Sequence, residues 1–305
     1  MNAATVAIIT RTKNRNLLLD RAIGSVLSQT YADWLHVIVN DGGDKTALES
    51  LLDRYQEAYR GRLLILHNPR SLGMEAASNR GIAASDSTYL VIHDDDDSWR
   101  PQFLEKAVAY LATRPAPSIR GVIAHTDRVI EEITGEQVLV RKEEAFNHYL
   151  RSVTLYRCAA ENSFPPISFL FERAVLSEIG LYREDLPVLG DWDFNLRFLS
   201  RYDVGLIPEP LARYHHRVQG GPSHYSNSVV GGDDKHKFYD CLLRNEYLRR
   251  DMDSGKPGLG FLVNVSRSFE SVHWQLLPME NLLKRLKANR LMRLLYRLVK
   301  GKPAG

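Results

Sequence analysis

The chain has 305 residues with 44% hydrophobic and 25% charged residues and a formal net charge of +3, ordinary values for a globular protein with a sizeable core in one or two domains. Its two cysteines, Cys158 and Cys241, lie far apart and belong to no Cys/His cluster, which argues against a disulfide framework or a zinc site and for a reducing cytosol. No apolar stretch approaches the roughly 18 residues of a membrane span, so we do not expect a transmembrane protein.

Residues 1–115 alternate between strand and helix patterns. The N-terminus lacks the charged start and cleavage site of a secretory signal, so we expect a cytoplasmic protein. Apolar runs predict strands at Thr5–Ile9, Trp34–Val39, Leu63–Leu66 and Tyr89–Ile92. Helical periods predict helices at Leu17–Leu27, Ala47–Tyr59 and Gly73–Ala84, and one more after Pro101. This alternation predicts a parallel sheet covered by helices on both faces.

The pattern changes after residue 115. Residues 119–140 predict two or three strands, with a turn at Thr134 and Gly135. An apolar segment and a Gly-rich stretch, Gly220–Gly232, follow. We therefore expect one α/β domain that is elaborated by a C-terminal half packed against it.

The net charge hides an asymmetry between the C-terminus and the rest of the chain. Residues 281–305 contain eight lysines and arginines and no acid, whereas the first 280 residues contain 32 lysines and arginines against 37 acids. The tail also carries one apolar helical stripe, formed by Leu291, Leu294, Leu295 and Leu298. A basic amphipathic helix can lie on an anionic membrane surface, and the alternative is a helix that packs its stripe on the protein's own core.

Polar residues follow each of the four predicted N-terminal strands. In open parallel sheets, ligands bind beyond the carboxyl ends of the strands. Here those ends offer cations, an Asp before a Gly-Gly turn and a carboxylate cluster, carried by Thr10, Arg11, Arg15, Asn40, Asp41, Asn68, Arg70 and Asp94–Asp97. Mg²⁺ and Mn²⁺ favour carboxylate oxygens together with substrate phosphates. The strand ends therefore predict a site for a phosphorylated ligand with a divalent metal.

The run "YLVIHDDDDSW" at residues 89–99 places four carboxylates directly after a buried strand. Two carboxylates about 5 Å apart repel by roughly 3 kcal/mol at an effective dielectric near 20, so we expect a cation to offset them. In an extended chain Asp94 and Asp96 would share one face and Asp95 and Asp97 the other. The alternative is a solvated turn, and we expect Asp97 or Ser98 to cap the helix that starts near Pro101.

The order "IITRTKNR…AIGSVLSQTYADWLHVIVNDGG…SLGMEAASNRGIAAS…YLVIHDDDDSWRP" resembles the family 2 glycosyltransferases, and the resemblance resumes at "LGDWDFNLRF". It implies an α/β, GT-A-like nucleotide-diphospho-sugar transferase fold, with a mostly parallel central sheet flanked by helices and a C-terminal helical extension. It also implies an enzyme that transfers a sugar with inversion from a nucleotide sugar to an acceptor hydroxyl, with Mn²⁺ or Mg²⁺ as cofactor.

The resemblance also implies roles for single residues. Nucleotide contacts are implied at Thr10, Arg11, Arg15, Asp41, Asn79, Asp94 and Asp95. Asp41 would read the base, commonly uracil, and Asn79 would support the metal loop. Asp94 and Asp96 match the family's D-x-D motif and are the expected metal ligands. His216, preferred to His215, would complete the coordination.

Asp191, in "GDWD", matches the general base that takes the acceptor's proton. The alternative reading is a helix N-cap, with Asp193 pairing Arg197 on the helix that follows. Three positions depart from the family pattern. Asn40 replaces an acid, Ser78 replaces an arginine and Gly190 replaces the Glu usually paired with the catalytic Asp. The changes at Asn40 and Ser78 concern which nucleotide is bound, and the change at Gly190 concerns the assignment of Asp191 as the general base.

We predict three parts: residues 1–115 as the nucleotide-sugar-binding α/β half, 116–232 as the acceptor-binding and catalytic half of the same domain, and 233–305 as a helical extension with a basic amphipathic tail. A UDP-sugar donor is favoured, and the acceptor would be a surface polysaccharide or lipid-linked glycan at the inner face of the cell membrane. The alternatives are a non-catalytic nucleotide-sugar-binding module and a Mg²⁺-dependent phosphohydrolase, because "DDDDS" partly matches a D-x-D-x-T loop. We expect no nucleic acid partner, because the first 280 residues are net acidic.

Overall fold

A nine-stranded sheet runs through the part of the chain that this computed structural model describes, residues 4–135, 137–217 and 233–288. The strands are β1 (Val6–Thr12), β2 (Trp34–Asp41), β3 (Leu63–Asn68), β4 (Tyr89–Ile92), β5 (Ser98–Trp99), β6 (Ile119–Thr134), β7 (Gln137–Ala145), β8 (Phe169–Glu172) and β9 (Asp203–Arg217). The four strands predicted in the N-terminal half are confirmed as β1 to β4.

The helices are α1 (Asn16–Leu27), α2 (Lys45–Asp53), α3 (Gln56–Tyr59), α4 (Met74–Ala83), α5 (Phe103–Ala112), α6 (Leu155–Ala160), α7 (Leu176–Ile179), α8 (Gly190–Leu199), α9 (Asp233–Ser254) and α10 (Leu259–Ala288). Two short 3₁₀ helices flank β8, at Pro166–Ser168 and Arg173–Val175. The helix predicted at Ala47–Tyr59 is divided into α2 and α3 by a break near Arg54.

The sheet has the order β3-β2-β1-β4-β8-β6-β9-β5, and β7 extends it through β6. The first four strands in this order pair in parallel, as predicted. Strand β8 reverses the direction, because it pairs antiparallel with both β4 and β6, and β9 then runs parallel to β6. The predicted turn after β6 is confirmed, and Gly135 adopts the left-handed φ of 62° there.

The apolar runs of β1, β2 and β4 are buried on both faces of the sheet, as expected for parallel strands between two helix layers, whereas the edge strand β3 is half-buried. Ala7 and Ile9 of β1 belong to one core cluster, which reaches α4 and α8, whereas Val6 and Ile8 belong to another, which reaches α1 and α5. This alternation follows from the two-residue period of a strand. The carboxyl ends of β1, β2 and β4 are thereby held in fixed relative positions.

Helices α9 and α10 pack together and against α6. Arg244 of α9 donates to the backbone carbonyls of Ala159, Ala160 and Val263, and its guanidinium lies 4.7 Å from the ring centre of Trp192. None of the described helices has both the length and the apolar content needed to cross a bilayer. The Gly-rich stretch from residue 218 to 232, and the predicted tail stripe beyond residue 288, lie outside the described residues.

Candidate active site

The four acids after β4 form a tight turn. The backbone N–H of Asp97 donates to the carbonyl of Asp94 at 3.2 Å. The alternation of faces expected for an extended run is therefore wrong, because the turn lets one arginine reach two successive acids. Arg15 lies 2.9 Å from the Oδ1 of Asp95 and 2.6 Å from the Oδ2 of Asp96.

The sequence predicted that the run ends in a helix cap at Asp97 or Ser98. The structure shows instead that it ends in the two-residue strand β5. Ser98 and Trp99 pair antiparallel with β9. The backbone N–H of His215 donates to the Oδ1 of Asp97 at 2.8 Å, so this carboxylate secures β9. Helix α5 begins only at Phe103 and has no side-chain cap.

Arginines from two distant segments hold the acidic turn. Arg11 at the end of β1 lies 2.8 Å from Asp94 and also donates to the hydroxyl of Ser78 at 2.6 Å. Arg217 at the end of β9 pairs with Asp96, which Arg15 also contacts. The structure thus confirms that Arg11, Arg15 and the acidic run meet at one edge of the sheet.

Glu131 of β6 is a fully buried acid that joins these segments. It accepts from Arg21 at 2.6 Å, from Arg217 at 3.1 Å and from His215 Nδ1 at 2.8 Å. Burial raises the pKa of Glu131, but the hydrogen bonds from His215 and Arg21 lower it to about 2. Glu131 was not among the predicted site residues. It alternates with half-buried residues on the same buried face of β6 as Val129 and Ile133, where a charged group needs partners.

The two histidines of β9 have different surroundings. The imidazole of His215 lies between Glu131 and the hydroxyl of Ser98, at 2.8 Å from each. His216 packs edge-on against Tyr214 at 4.2 Å, and its Nε2 is buried with no hydrogen-bond partner in the part of the chain that the structure describes. Burial and the nearby Arg128 and Arg217 lower the pKa of His216 to about 4. His216 is therefore neutral at pH 7, as a metal-binding imidazole must be.

Burial raises the pKa of three of the four acids in the turn. It raises that of Asp94, and it raises that of Asp95 to about 6 although Arg15 opposes the shift. The pKa of Asp97 is raised by burial and by the neighbouring Asp96. Asp96 is the exception, because its arginine partners outweigh burial and lower its pKa. Burial therefore disfavours the ionised form of these three acids, and a cation bound at the turn would stabilise it.

Asp191 lies close to the acidic turn although 94 positions of the chain separate Asp191 from Asp97. Its Oδ2 accepts from the side-chain amide of Asn162 at 2.6 Å, and its Oδ1 accepts from the N–H of Trp192 at 2.8 Å. Burial raises the pKa of Asp191, against the effects of this N–H and of Arg11. The negative charge of Asp191 in turn raises the pKa of Asp94, which shows that the two carboxylates share one electrostatic environment.

Helix α8 presents Asp191 from its first turn. The N-cap is Leu189, in the left-handed region with φ of 64°, so Asp191 is not the cap. The predicted pair on the same helix is confirmed, because Arg197 lies 2.7 Å from Asp193. The left-handed cap costs conformational energy in a non-glycine residue, a feature that recurs at functional sites.

Glu75 of α4 is a second buried acid that sequence reasoning missed. Its carboxyl group occupies the space beside Gly190, where a Cβ would lie 2.5 Å from the Glu75 Cδ. Its Oε2 is buried, and none of the described residues forms a hydrogen bond with it. Burial raises the pKa of Glu75 to about 7 against the nearby Arg11, and Asp191 adds to the rise. An acid in the first turn of a helix is common in sequences, so no pattern distinguished Glu75.

Two of the residues predicted to contact the nucleotide form hydrogen bonds with other residues of the protein. The hydroxyl of Thr10 lies 2.8 Å from the Nε2 of His36 and is buried. The side-chain amide of Asn79 donates to the carbonyl of Tyr182 and to the carboxylate of Glu184, both at 2.9 Å. Asn79 thus holds the segment that precedes α8, and the roles predicted for both residues stay predictions.

Asp41 organises the loop between β3 and α4. It accepts from the amide of Asn68 at 2.7 Å, the hydroxyl of Ser71 at 2.7 Å and the N–H groups of Leu72 and Gly73 at 2.8 and 3.1 Å. Burial alone would raise the pKa of Asp41, but these donors lower it. A charged Asp41 thereby fixes this loop beside the ends of β1 and β2, and its predicted contact with a base stays a prediction.

The donor set suits a hard divalent cation. Mg²⁺ and Mn²⁺ are usually held by one or two carboxylates together with substrate phosphates, and Asp94 and Asp96 supply such carboxylates. The Oδ2 of Asp97 is buried with no hydrogen-bond partner among the described residues, and burial and Asp96 hold the pKa of Asp97 well above its usual value. No group of three or more His, Cys, Asp or Glu side chains forms a ready-made cage among the described residues. The residues therefore fit a cation that a diphosphate helps to hold.

Comparisons with known proteins agree with this geometry. The family model described as "Glycosyl transferase family 2" matches residues 7–178, more than half of the chain. A protein named "PGL/p-HBAD biosynthesis glycosyltransferase" from Mycobacterium bovis is 24% identical over 273 residues, which are 89% of this chain and 93% of the relative. These matches confirm the predicted glycosyltransferase.

Solved structures show the same fold. TarS 1-349 from S. aureus, in complex with UDP-GlcNAc, superposes with a TM-score of 0.56 at 16% identity, covering 73% of this chain and 61% of TarS. GalNAc-T7, solved with UDP, GalNAc and Mn²⁺, superposes with a TM-score of 0.51 at 18% identity, covering 71% of this chain and 44% of that protein. This chain thus spans less than two thirds of both solved proteins. The likeness confirms the predicted GT-A-like fold.

Proposed function

The chain belongs to glycosyl transferase family 2, and from that premise we propose that it is an inverting enzyme that uses a UDP-sugar and a divalent cation. The acceptor hydroxyl oxygen forms a bond to the anomeric carbon while the bond from that carbon to the diphosphate breaks. The electron pair of the broken bond leaves with the diphosphate, and the hydroxyl proton passes to Asp191. No covalent enzyme intermediate is needed.

One observation supports the proposal: Asp191, the proposed base, and Asp94, beside the proposed diphosphate site, both act electrostatically on Arg11. The negative charges of Asp94 and Asp191 each raise the pKa of the Arg11 guanidinium, so both carboxylates lie within electrostatic range of Arg11. A nucleotide sugar bound between Arg11 and Asp191 would have the arginine beside its diphosphate and the carboxylate of Asp191 beside the acceptor. An in-line displacement requires this polarity, with a base opposite a stabilised leaving group.

On the acceptor side, Asn162 and Trp192 orient the carboxylate of Asp191. Each donates to a different oxygen, so the carboxylate has a fixed plane before the acceptor arrives. The raised pKa of Asp191 makes it a stronger base than an exposed aspartate. In this proposal Asp191 holds the hydroxyl and receives its proton as the new bond forms.

On the donor side, we assign the diphosphate to Arg11 and Arg15 and the cation to Asp94 and Asp96, with His216 as a further ligand. A divalent cation bound there supplies charge that offsets the negative charge growing on the leaving diphosphate. The solved neighbours support the donor class, since TarS was solved with UDP-GlcNAc and GalNAc-T7 with UDP and Mn²⁺. The predicted contacts of Thr10, Asp41, Asn79 and Asp95 belong to the same proposal.

We place the acceptor among surface polysaccharides and lipid-linked glycans. The support is compositional: the eight lysines and arginines of residues 281–305 would bring the protein to an anionic membrane surface. The residues of the tail stripe lie outside the described part of the chain.

A thermal-shift panel tests the donor and metal parts. UDP, GDP and UDP-GlcNAc are each added with Mn²⁺, with Mg²⁺ or with a chelator. We expect UDP and UDP-GlcNAc to raise the Tm more with the cation than without it, because a ligand that binds only the folded state stabilises it. If no nucleotide raises the Tm in a metal-dependent way, the proposal is wrong.

Two variants and one control separate the role of the proposed metal ligand from that of the proposed base. Asp96→Asn should lose the metal-dependent part of the shift, whereas Asp20→Asn, an exposed acid beside Arg54, should retain it. Asp191→Asn should keep the UDP shift and lose sugar transfer by about 10²-fold or more. Transfer at the wild-type rate by Asp191→Asn would favour a different base or the non-catalytic reading.

A further inference from the structure

A cavity of about 770 Å³ opens between α6 and α10. Its volume lies within the range of about 300–1,000 Å³ that is usual for ligand sites. Helix α10 forms one wall, and this helix lies beyond the segment that the family model matches. One wall of the cavity therefore lies in a part of the chain that the proposed function leaves without a role.

Four aromatic rings line this cavity. Tyr149 and Tyr156 come from the α6 side, and Phe269 and Trp274 come from α10. All four are exposed, with Phe269 at 64% and Trp274 at 58%. Aromatic side chains offer a rigid apolar face at a small cost in conformational entropy. Such faces suit a flat apolar surface on a ligand, such as the C–H face of a pyranose ring.

Two carboxylates lie among these rings. The Oε2 of Glu270 is buried with no hydrogen-bond partner among the described residues, and it lies 3.6 Å from the guanidinium of Arg267. The hydroxyl of Tyr149 donates to the Oε1 of Glu161 at 3.4 Å, and burial and Glu270 raise the pKa of Glu161. Carboxylate oxygens accept hydrogen bonds from hydroxyl groups. The cavity thus combines apolar faces with acceptors, as recognition of a polyhydroxylated ligand requires.

A second cavity connects this region with the proposed base. It has a volume of about 210 Å³ and shares Ala160 and Glu161 with the larger cavity. Its wall includes Asn162, whose amide donates to Asp191 at 2.6 Å. We call the two cavities together the aromatic groove. The groove extends from the neighbourhood of Asp191 to Trp274.

We propose that the aromatic groove binds the saccharide part of the acceptor, as a neutral oligosaccharide whose reacting end lies at Asp191. This inference rests on the proposed function, because it assigns the acceptor subsite of that same reaction. Charged groups of both signs line the groove, Glu161, Asp240 and Glu270 against Arg157, Lys237, Arg244 and Arg267, so the charges nearly balance and do not favour a strongly charged glycan. These groups also disfavour an acyl chain, since burying charged groups beside hydrocarbon is costly.

The position of Trp274 allows a direct binding test. The other three tryptophans, Trp34, Trp99 and Trp192, are at most 4% exposed, so acrylamide quenches chiefly the fluorescence of Trp274. The probes are maltotriose, cellotriose, mannotriose and chitotriose, each at about 10 mM to reach millimolar Kd values. We expect at least one trisaccharide to lower the quenching constant, whereas UDP with Mn²⁺ should leave it unchanged.

Variants of exposed wall residues provide the second arm. Phe269→Ala should weaken binding of the protecting trisaccharide about tenfold, as expected for the loss of one stacking ring, and should leave the UDP thermal shift unchanged. Leu282→Ala, an exposed apolar residue farther along α10, serves as the matched control and should bind as the wild type does.

The outcomes separate this proposal from the donor proposal. A metal-dependent UDP shift without protection of Trp274 by any trisaccharide would overturn the groove and leave the donor site standing. Protection of Trp274 in a protein that binds no nucleotide would leave the groove as a saccharide site and overturn the enzyme mechanism above. Protection by phosphatidylglycerol vesicles but by no trisaccharide would assign this surface to the membrane and would also overturn the groove.

Discussion

Glu75 shows how one residue on a separate helix can complete a site. Its carboxyl group lies beside Gly190 and acts electrostatically on Asp191 and Asp94. Groups from three elements face it: Arg11 from β1, Asp94 after β4, and Asp191 with Asp193 from α8. Because three of these four groups are acids, the ionised form of Glu75 is held at a free-energy cost.

The first prediction concerns the pH dependence of stability. The pKa of Glu75 is raised from 4.5 to about 7 in the folded protein, so the folded state keeps this proton at pH values where the unfolded chain has lost it. Glu75 therefore lowers the free energy of unfolding as pH rises from about 4.5 to 7, by on the order of 3 kcal/mol at most. Glu75→Gln removes this loss and should gain stability over the wild type as pH rises.

Urea unfolding at pH 5, 6, 7 and 8 measures the difference. We expect the curves of the free energy of unfolding for Glu75→Gln and wild type to diverge across this window, with the variant higher at pH 8. Glu57→Gln, an exposed glutamate on α3, should follow the wild-type curve. Parallel curves for Glu75→Gln and wild type would contradict the placement of this carboxyl group.

At the scale of elements, the buried side chain of Glu75 on α4 fills the space that a side chain on the first residue of α8 would need. A Cβ at position 190 would lie 2.5 Å from Glu75 Cδ and 2.7 Å from Glu75 Cγ. The departure of Gly190 from the family pattern thus has a steric reason in this chain. The glycine and the glutamate form one structural unit that spans two helices.

The second prediction follows from this packing. Gly190→Ala should lower the free energy of unfolding by about 1–3 kcal/mol, because the new methyl group overlaps a buried side chain. Gly24→Ala in α1 is the matched control, since nothing lies within 4 Å of its Cβ position. That variant should gain up to about 1 kcal/mol from helix propensity.

A double variant isolates the contact. Glu75→Ala added to Gly190→Ala should restore most of the lost stability, so the two effects will not add. Chemical denaturation of the four proteins in this cycle gives the coupling energy. Strict additivity would show that the methyl group at position 190 does not meet Glu75.

The sheet was predictable to the extent that its strands are continuous apolar runs. Strands such as Tyr89–Ile92 satisfy a local pattern that needs no distant partner. Strand β5 was not predictable, because Ser98 and Trp99 form a strand only by pairing with Arg213 and Ala212, more than 110 residues later. The helix cap predicted at Asp97 or Ser98 was wrong for the same reason.

The site was predictable where a motif carried it and not where tertiary packing did. The acidic run and Asp191 stand out in the sequence by composition and by family resemblance. Glu75 and Glu131 do not, because their importance comes from burial against residues of other elements. The partners of His215 were equally hidden, since they lie on β5 and β6.

At the scale of the whole molecule, Arg244 joins the C-terminal helices to the rest of the protein. It is 6% exposed and donates to carbonyls of Ala159, Ala160 and Val263. It thereby links α9 with both helices that wall the aromatic groove. Helices α9 and α10 are thus fastened to α6 through hydrogen bonds as well as packing.

The third prediction addresses this link. Arg244→Met should lower the free energy of unfolding by about 3–5 kcal/mol, because it leaves several buried carbonyls without a donor. Arg250→Met, which removes an exposed arginine paired with Glu246 on the same helix, should change it by less than about 0.5 kcal/mol. Denaturant unfolding of the two variants compares them, and equal effects would contradict a central role for Arg244.

The acidic turn is tied at both of its ends, by β4 on one side and by β5 on the other. Ordering a free backbone segment costs about 1–2 kcal/mol per residue. The five residues between Ile92 and Ser98 have already met that cost during folding, so a ligand that binds at this turn encounters a preorganised receptor. Binding at the turn therefore carries no further cost for ordering these five residues.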